Sequence, residues 1–409
     1  MLSTTLPEAK ETTAPLFNIP EYIKKIKLVF DVNGTLMSGD TEKAKFEAKK
    51  NAKEGDDIKK LQDEHMGRVL WKTLAENYTG KCPDGSDKNF RDYLEEKYKI
   101  TAGKKLTTEQ YFDEFTTFLK EYNLPLYEKN AAFVERVLKQ LENGFVFESL
   151  ICLLNELKKA GIQVEIELRT FGSDGELILD ELAERTELFP TVIEVDANGK
   201  EKKKINGVIR GKIDENGLLN INDKTIDPSQ LDKEISSHTS NVIVLIRDNY
   251  SRWRDYQGQY SDHGKPIFID ATDPSVLIGV FDDNMQVVGV SKRGGIISVK
   301  TNALGADNMS QQELQDLFTS QHFLFNVNEL PAIQNSYYYV DLFKLMLTQK
   351  LYPNMLLDAL ATSEVAPTPK SVLITSKNLN TPGVGIFAQT PVASAEIEVA
   401  AKTLQSAIS

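Results

Sequence analysis

Several short apolar runs in this sequence end on polar side chains that could act together in one site. Asp31 directly follows the run IKLVF, Thr170 stands two residues after VEIEL, and Asp282 and Asp283 follow LIGVF. Carboxylates are ligands that Mg²⁺ prefers, and a carboxylate can also attack a phosphoryl group to form an aspartyl-phosphate. A hydroxyl can hold the phosphoryl oxygens on which charge develops in the transition state. These residue types therefore predict phosphoryl transfer assisted by Mg²⁺, with Asp31 as the attacking group.

A cation beside the carboxylates would complete such a site. Neighbouring anions repel one another unless a metal ion neutralises them, and a lysine or arginine can hold the remaining phosphoryl oxygens. Lys265 in the stretch HGKPIF and Arg247 after NVIVLI are basic residues close to predicted strands. Either Lys265 or Arg247 could serve as this cation. Gly34 permits a tight turn and a close approach of the backbone just after Asp31.

These residues need a scaffold that brings their strand ends together. Residues 26–30, 242–246 and 277–281 are short, mainly apolar runs near turn signals, which is typical of buried parallel strands. The segment FVFESLICLLNELKKAG is an amphipathic helix that should end at Gly161, and the strand IQVEIELRT follows it. This order is half of a βαβ unit. In a doubly wound parallel sheet ligands bind outside the carboxyl ends of the strands, so the polar residues should meet in one crevice.

Changes of composition along the chain predict its division into segments. Between 41 and 144 the sequence is rich in Lys, Glu and Ala, apolar residues recur at helical spacing, and strand signals are nearly absent. Asn-Gly at 206–207 and Glu-Asn-Gly at 215–217 predict hairpins, and therefore a small β excursion near 195–225. The predicted segments are a flexible N-terminus at 1–20, an α/β core at 21–40 and 145–300, an all-helical insert at 41–144, a helical extension at 301–360 and a flexible tail at 361–409.

Composition and charge restrict the possible partners. The 409 residues are 41% apolar and 26% charged with a formal net charge of −12, so we expect neither a nucleic-acid nor a membrane partner. Two cysteines without a CxxC or a Cys/His cluster predict neither a disulfide framework nor a zinc site. The sequence carries no secretory signal and no transmembrane run, which predicts a cytoplasmic protein, although export by a signal-less route would leave the same pattern.

The stretches DVNGTL, RTFGSD, GK and FDDN occur in that order and resemble the four motifs of the haloacid dehalogenase-like (HAD) superfamily. This superfamily is dominated by Mg²⁺-dependent phosphatases and phosphotransferases with a Rossmann-like core. The resemblance implies that Asp31 is the nucleophile, Thr170 the motif-two hydroxyl and Lys265 the motif-three cation. It implies Mg²⁺ as the cofactor, with Asp282 and Asp283 as the acidic pair that holds it together with Asp31.

The resemblance also implies a fold and further contacts. It implies an α/β protein with a Rossmann-like parallel-sheet HAD core, an inserted all-helical cap and a helical C-terminal extension. The insert at 41–144 falls between motifs one and two, where members of one type carry a cap domain. The substrate would be a phosphorylated small molecule or a phosphoprotein. We expect contacts to the substrate or its phosphate from Gly34, Thr35, Arg169 and Arg247, while Arg169 could instead form a salt bridge to the cap.

Asn33 departs from the family pattern. Phosphatases of this family normally carry a second aspartate there, which protonates the leaving oxygen and then activates the water that cleaves the aspartyl-phosphate. Asparagine cannot exchange that proton, and acid–base help of this kind contributes roughly 10²–10⁴-fold to a rate. In the family the backbone carbonyl at this position contacts the metal, so we expect Asn33 to remain a Mg²⁺ ligand. Asp40, Asp174 or a residue of the cap could supply the missing acid.

The leading interpretation is a Mg²⁺-dependent phosphohydrolase or phosphotransferase that acts through an aspartyl-phosphate on Asp31. Asn33 leaves three outcomes open: a slow phosphatase, a phosphotransferase with a long-lived intermediate, or a phosphate-binding protein without turnover. The alternative from another class is a catalytically silent HAD-fold binding or scaffold protein. A dehalogenase would need no metal, and the acidic pair at 282–283 argues against it.

Overall fold

The computed structural model describes residues 15–38, 52–53, 57–100, 106–141, 144–195, 199, 201–235, 241–255, 264–283, 297–302, 309–320 and 322–351. In chain order the strands are β1 (Lys25–Asp31), β2 (Gln163–Thr170), β3 (Thr191–Val195), β4 (Glu201–Ile205), β5 (Ile209–Ile213), β6 (Leu219–Ile221), β7 (Lys224–Ile226), β8 (Val242–Arg247), β9 (Lys265–Ile269), β10 (Val276–Asp282), β11 (Ile297–Thr301) and β12 (Leu324–Asn326). The helices are α1 (Ile58–Glu76), α2 (Phe90–Lys97), α3 (Thr108–Tyr122), α4 (Leu124–Leu141), α5 (Glu148–Ala160), α6 (Gly175–Arg185), α7 (Leu231–Ile235), α8 (Tyr250–Asp255), α9 (Gln311–Ser320), α10 (Glu329–Gln334) and α11 (Tyr338–Leu351).

The centre of the structure is a mostly parallel sheet with helices packed against it. In the described part of the chain this sheet has eight strands in the order β12–β10–β1–β2–β8–β5–β6–β7. The pairing is parallel from β12 to β5, whereas β5–β6 and β6–β7 pair antiparallel. The prediction of a mixed α/β fold around a parallel sheet is confirmed, and this arrangement is compatible with a Rossmann-like core.

Strand β1 lies at the point from which the strand order runs in both directions. It pairs with β10 on one side, where Phe30 is opposite Phe281, and with β2 on the other side, where Asp31 is opposite Arg169. A change of direction of this kind opens a crevice at the carboxyl ends of the strands. The last residue of β1 therefore stands where a ligand of an open α/β sheet is expected to bind.

The two faces of β1 are packed differently. Ile26, Leu28 and Phe30 lie in an apolar core that includes residues of α5, α6 and α11. Val29 points to the opposite face, because side chains alternate along a strand, and it packs in a second cluster with Ile267 of β9. Asp31 shares this second face, which explains how a residue at the start of β9 can reach it.

The predicted helical insert contains helices throughout the part of it that the structure describes. Helices α1 to α4 surround an apolar cluster of their own that includes Phe90 and Phe115. The side chain of Thr107 forms a capping box at the start of α3, as the sequence signature indicates. Leu330 and Ile333 of α10 pack against the same cluster, so the C-terminal part of the chain contacts the insert.

Two expectations about the ends of the chain need correction. Phe17 falls in the segment predicted as flexible, yet it is buried in the main core with its ring centroid 4.7 Å from that of Phe343. The extension at 301–360 is not purely helical, because β12 pairs in parallel with β10 and adds a strand to the sheet. The predicted tail at 361–409 lies outside the described residues. Among the described helices none combines the length and apolar character needed to cross a membrane.

The β excursion predicted near 195–225 begins earlier than expected and has two parts. Strands β3 and β4 form a separate antiparallel hairpin, with Thr191 opposite Ile205. Strands β5 to β7 instead continue the central sheet beyond β8. The turn signals are correct, because Gly207 and Gly217 both adopt positive φ angles, of 72° and 80°.

Candidate active site at the carboxyl edge of the sheet

Three carboxylates meet at the carboxyl end of β1. Asp31 and Asp282 are the last residues of the neighbouring parallel strands β1 and β10, and Asp283 follows directly. Carboxylate oxygens of these three residues all lie within 4.8 Å of one another. The side chains are shielded from water, with 9% of Asp31 and 1% of Asp282 exposed. Residues more than 240 positions apart in the chain are thus brought together by strand pairing, as the sequence pattern predicts.

Lys265 is the cation of this cluster. It is the first residue of β9, 1% of it is exposed, and its Nζ lies 2.5 Å from Asp31 Oδ1 and 3.0 Å from Asp282 Oδ2. Burial alone would lower the pKa of Lys265, but the carboxylates of Asp282 and Asp31 outweigh burial and raise it. Lys265 therefore keeps its proton and serves as a fixed positive charge between two strand ends.

The acidic groups carry more charge than one lysine can balance. Burial raises the pKa of Asp31 to about 6, although the nearby Lys265 acts in the opposite direction. Burial, followed by the charges of Asp31 and Asp282, raises the pKa of Asp283 well above its usual range. Buried carboxylates with raised pKa values bind a cation readily, because the cation removes the repulsion between them. Oxygen ligands of this kind suit Mg²⁺.

The turn after β1 brings the first motif, DVNGTL, into close contact with Asp283 of the acidic pair. Gly34 has a φ of +77°, and a Cβ atom there would lie 2.5 Å from Asp283 Oδ2, so only glycine fits without rearrangement. Thr35 is completely buried, and its Oγ1 accepts a hydrogen bond of 3.0 Å from the backbone N–H of Asp283. The Tyr339 hydroxyl donates to the Thr35 carbonyl. Thr35 therefore braces the two motifs against each other, and its contact to substrate stays a prediction.

Asn33 is held by a partner that the structure identifies. Its Nδ2 donates a hydrogen bond of 2.9 Å to Oδ2 of Asp174, which is 3% exposed and precedes α6. Asn33 Oδ1 is buried and has no hydrogen-bond partner among the described residues. Of the acids considered as substitutes for the missing aspartate, Asp174 thus contacts Asn33, whereas Asp40 lies outside the described residues.

Thr170 ends β2 beside this cluster. It is 2% exposed, and its Oγ1 accepts a hydrogen bond of 3.0 Å from the backbone N–H of Gly172. Its carbonyl accepts one of 2.7 Å from the N–H of Asp248. The side chain therefore shapes the turn after β2, but a hydroxyl that accepts one bond still has a proton to donate. A phosphoryl oxygen could accept that proton's hydrogen bond.

The two arginines proposed as phosphate ligands are placed differently. Arg169 is 1% exposed and pairs with both carboxylate oxygens of Asp248, at 3.0 and 2.5 Å. Its Nη1 donates to Glu167 and to the Pro266 carbonyl, at 2.8 Å each, so all of its guanidinium nitrogens are engaged. This corrects the assignment of Arg169 as a phosphate or cap contact. Arg247 is exposed at the end of β8 and forms no ion pair with the described residues.

Sequence patterns gave no indication of two further residues near the site. Glu329 at the start of α10 accepts hydrogen bonds from Ser38, at 2.8 Å, and from Thr73 of α1, at 3.0 Å. It thereby connects the loop after motif one to the helical insert. The ring of Phe171 has its centroid 5.2 Å from Lys265 Nζ, a cation–π contact at the edge of the cluster. Phe171 lies within the motif RTFGSD, but its contact with Lys265 and those of Glu329 join segments far apart in the chain, so only the three-dimensional arrangement identifies them.

Comparisons with protein-family models, curated proteins and solved structures returned no match for the chain.

Proposed function

We propose that the chain is a Mg²⁺-dependent phosphoryl-transfer enzyme of the HAD type, with Asp31 as the nucleophile. The observation that supports this most strongly is the cluster of Asp31, Asp282 and Asp283 carboxylates within 4.8 Å, at the strand ends where open α/β sheets bind ligands. Two buried carboxylates and a partly buried third beside Lys265 are costly unless a cation joins them. A structural ion pair would need only one of these acids.

Each residue of the cluster has a role in the proposed reaction. The Asp31 carboxylate attacks phosphorus, the bond from phosphorus to the leaving oxygen breaks, and an aspartyl-phosphate forms. Lys265 and the Thr170 hydroxyl hold phosphoryl oxygens. The metal would be held by the three carboxylates and the Asn33 backbone carbonyl, and it would neutralise charge on the phosphoryl group. Asp282 and Asp283 act by binding and do not react.

Two features support membership of the HAD superfamily. The motif residues Asp31, Thr170, Lys265 and Asp282 follow in the order of that family. Asp31, Thr170 and Asp282 end strands of the central sheet, and Lys265, at the start of β9 in a separate two-stranded sheet with β11, reaches Asp31 and Asp282. A segment of helices, α1 to α4, separates the first motif from the second. We propose that this segment is a cap that limits access of water and selects a phosphorylated small molecule or a phosphoprotein.

The test is Mg²⁺-dependent release of p-nitrophenol from p-nitrophenyl phosphate by the full chain. Asp31→Asn should abolish turnover, and removal of Mg²⁺ by a chelator should abolish it reversibly. Asp113→Asn, a change at an exposed aspartate of α3, is the matched control and should retain full activity. Equal turnover by the wild type and Asp31→Asn, or a rate of turnover that the chelator leaves unchanged, would contradict the proposal.

A second candidate is a phosphate-binding or scaffold protein without turnover. The observation in its favour is Asn33, whose amide contacts Asp174 at the position where the family's phosphatases carry an acid. Such a protein would bind Mg²⁺ and beryllium fluoride but would turn over no phosphoryl donor. Activity of Asn33→Asp combined with an inert wild type would favour this candidate over the first.

A further inference from the structure

The orientation of the Asn33 amide decides which chemical group the site presents. A carboxylate accepts hydrogen bonds but cannot donate them, so the contact at 2.9 Å turns Asn33 Nδ2 toward Asp174 and Oδ1 away from it. Gly172 leaves room for this arrangement, because a Cβ there would lie 2.9 Å from Asp174 Oδ2. The amide is therefore fixed by a buried acid that approaches it from the side opposite Oδ1.

The freed amide oxygen can accept a hydrogen bond but has no proton to give. Asn33 Oδ1 is buried and unpaired among the described residues, a state that is unfavourable unless a ligand or water supplies a donor. Among the described residues at this edge, the other titratable groups are already engaged or assigned to the metal. The Lys265 ammonium is bound between Asp31 and Asp282, Asp174 contacts Asn33, and Asp283 would hold the metal in the proposed function.

The lack of an acidic proton on the Asn33 side chain has a chemical consequence for the first step. When Asp31 attacks, its oxygen forms a new bond to phosphorus, and the electron pair of the broken bond stays on the leaving oxygen. An alkoxide leaving from an alkyl phosphate is strongly basic and needs a proton at that moment. A carboxylate, a phosphate or an acidic phenolate is stable as an anion and leaves without one.

We propose that this site takes phosphoryl donors whose leaving group departs as a stable anion, namely acyl phosphates, phosphoanhydrides and acidic aryl phosphates, and discriminates against alkyl phosphate esters. This inference rests on the proposed function. In the second step water attacks the aspartyl-phosphate, the electron pair returns to the Asp31 carboxylate, and the phosphate product keeps the protons of the water. Asn33 Oδ1 can orient that water by accepting its hydrogen bond, as amide side chains do in other phosphoryl-transfer sites.

The test compares substrates of similar shape whose leaving groups differ in acidity. p-Nitrophenyl, phenyl and benzyl phosphates all carry one aromatic ring, but only benzyl phosphate releases an alkoxide. For the wild type, kcat/KM with Mg²⁺ should fall steeply along this series, and acetyl phosphate should be a good donor. This measurement needs no variant, so a misfolded protein cannot obscure it.

Substitution of Asn33 provides the second part of this test. Asn33→Asp places a new carboxyl beside Asp174, where two close carboxyls share a proton and one can act as an acid. We expect kcat/KM for benzyl phosphate to rise by roughly 10²–10⁴-fold, the usual contribution of a general acid, with a much smaller change for p-nitrophenyl phosphate. Asn33→Ala removes the amide without adding an acid and should produce no selective gain.

The outcomes separate this inference from the proposed function. A wild type that turns over benzyl phosphate as fast as p-nitrophenyl phosphate would overturn the substrate class but leave Mg²⁺-dependent phosphoryl transfer intact. A wild type inert toward acetyl phosphate, beside an active Asn33→Asp variant, would also overturn it. If neither protein turns over any donor with Mg²⁺, the proposed function itself fails, and the inference fails with it.

Discussion

Replacing the nucleophile should stabilise the metal-free protein. The pKa of Asp31 is raised from 3.8 to about 6, chiefly by burial, so its ionised form is disfavoured in the folded chain. A pKa difference of about two corresponds to roughly 3 kcal/mol, since each unit is worth about 1.4 kcal/mol. Asparagine has the shape of the protonated acid and carries no charge. We therefore expect Asp31→Asn to raise the free energy of unfolding at pH 7 by about 3 kcal/mol without metal.

The sign of the pH dependence follows from the same shift. Between pH 4 and pH 6 the folded wild type binds a proton at Asp31 that the unfolded chain has already released, so wild-type stability falls as pH rises. The advantage of Asp31→Asn should thus be smallest near pH 4, grow up to about pH 6, and then stay constant. Mg²⁺ should reverse it, because a ligand that binds only the folded wild type stabilises that protein alone.

Urea titrations of both proteins at several pH values, with and without Mg²⁺, measure these differences. Asp113→Asn, at an exposed position of α3, controls for the loss of one negative charge and should change stability by less than about 0.5 kcal/mol. An Asp31→Asn variant that is as stable as the metal-free wild type at pH 7, or less stable, would refute the reasoning, because the carboxylate would then carry no electrostatic strain.

Three further predictions concern the surroundings of Asp31. Lys265→Met removes the cation that contacts two buried carboxylates and should cost about 3–5 kcal/mol of unfolding free energy in urea, part of which saturating Mg²⁺ restores. Arg169→Met should cost a similar amount, yet leave Mg²⁺ affinity in calorimetric titration nearly unchanged, because the guanidinium faces Asp248 rather than the metal cluster. Gly34→Ala forces a Cβ to 2.5 Å from Asp283 Oδ2 and should weaken Mg²⁺ binding in the same titration; unchanged affinity would contradict this packing.

The meeting of the acidic residues could be predicted because it depends on a simple rule. Apolar runs before Asp31 and Asp282 predict parallel strands. The carboxyl ends of parallel strands all lie at the same end of the sheet. The structure brings both together, with Lys265 between them. The helices of the insert could also be predicted from the sequence. Apolar residues recur there at helical spacing over long stretches, and Thr107 begins a helix N-cap pattern.

What the sequence could not reveal depends on distant partners. Arg169 stands beside Thr170 in a motif, but its role is set by Asp248, which follows a different strand. Thr35 follows the motif-one glycine, yet its hydroxyl accepts from a backbone N–H 248 positions away. Phe17 lies in a polar, proline-containing stretch, yet it is buried in the main core, where its ring contacts Phe343 of α11. Strand β12 has only three residues, too few to show the alternation of apolar and polar side chains that indicates a strand.

Identification of the phosphorylated residue shows whether Asp31 is the nucleophile. The full chain is incubated with acetyl phosphate and Mg²⁺, quenched in acid, and its peptides are mapped by mass spectrometry. We expect one added phosphoryl group on the peptide that contains Asp31, absent without Mg²⁺ and absent in Asp31→Asn. A phosphoryl group on another residue, or the same modification in Asp31→Asn, would contradict it.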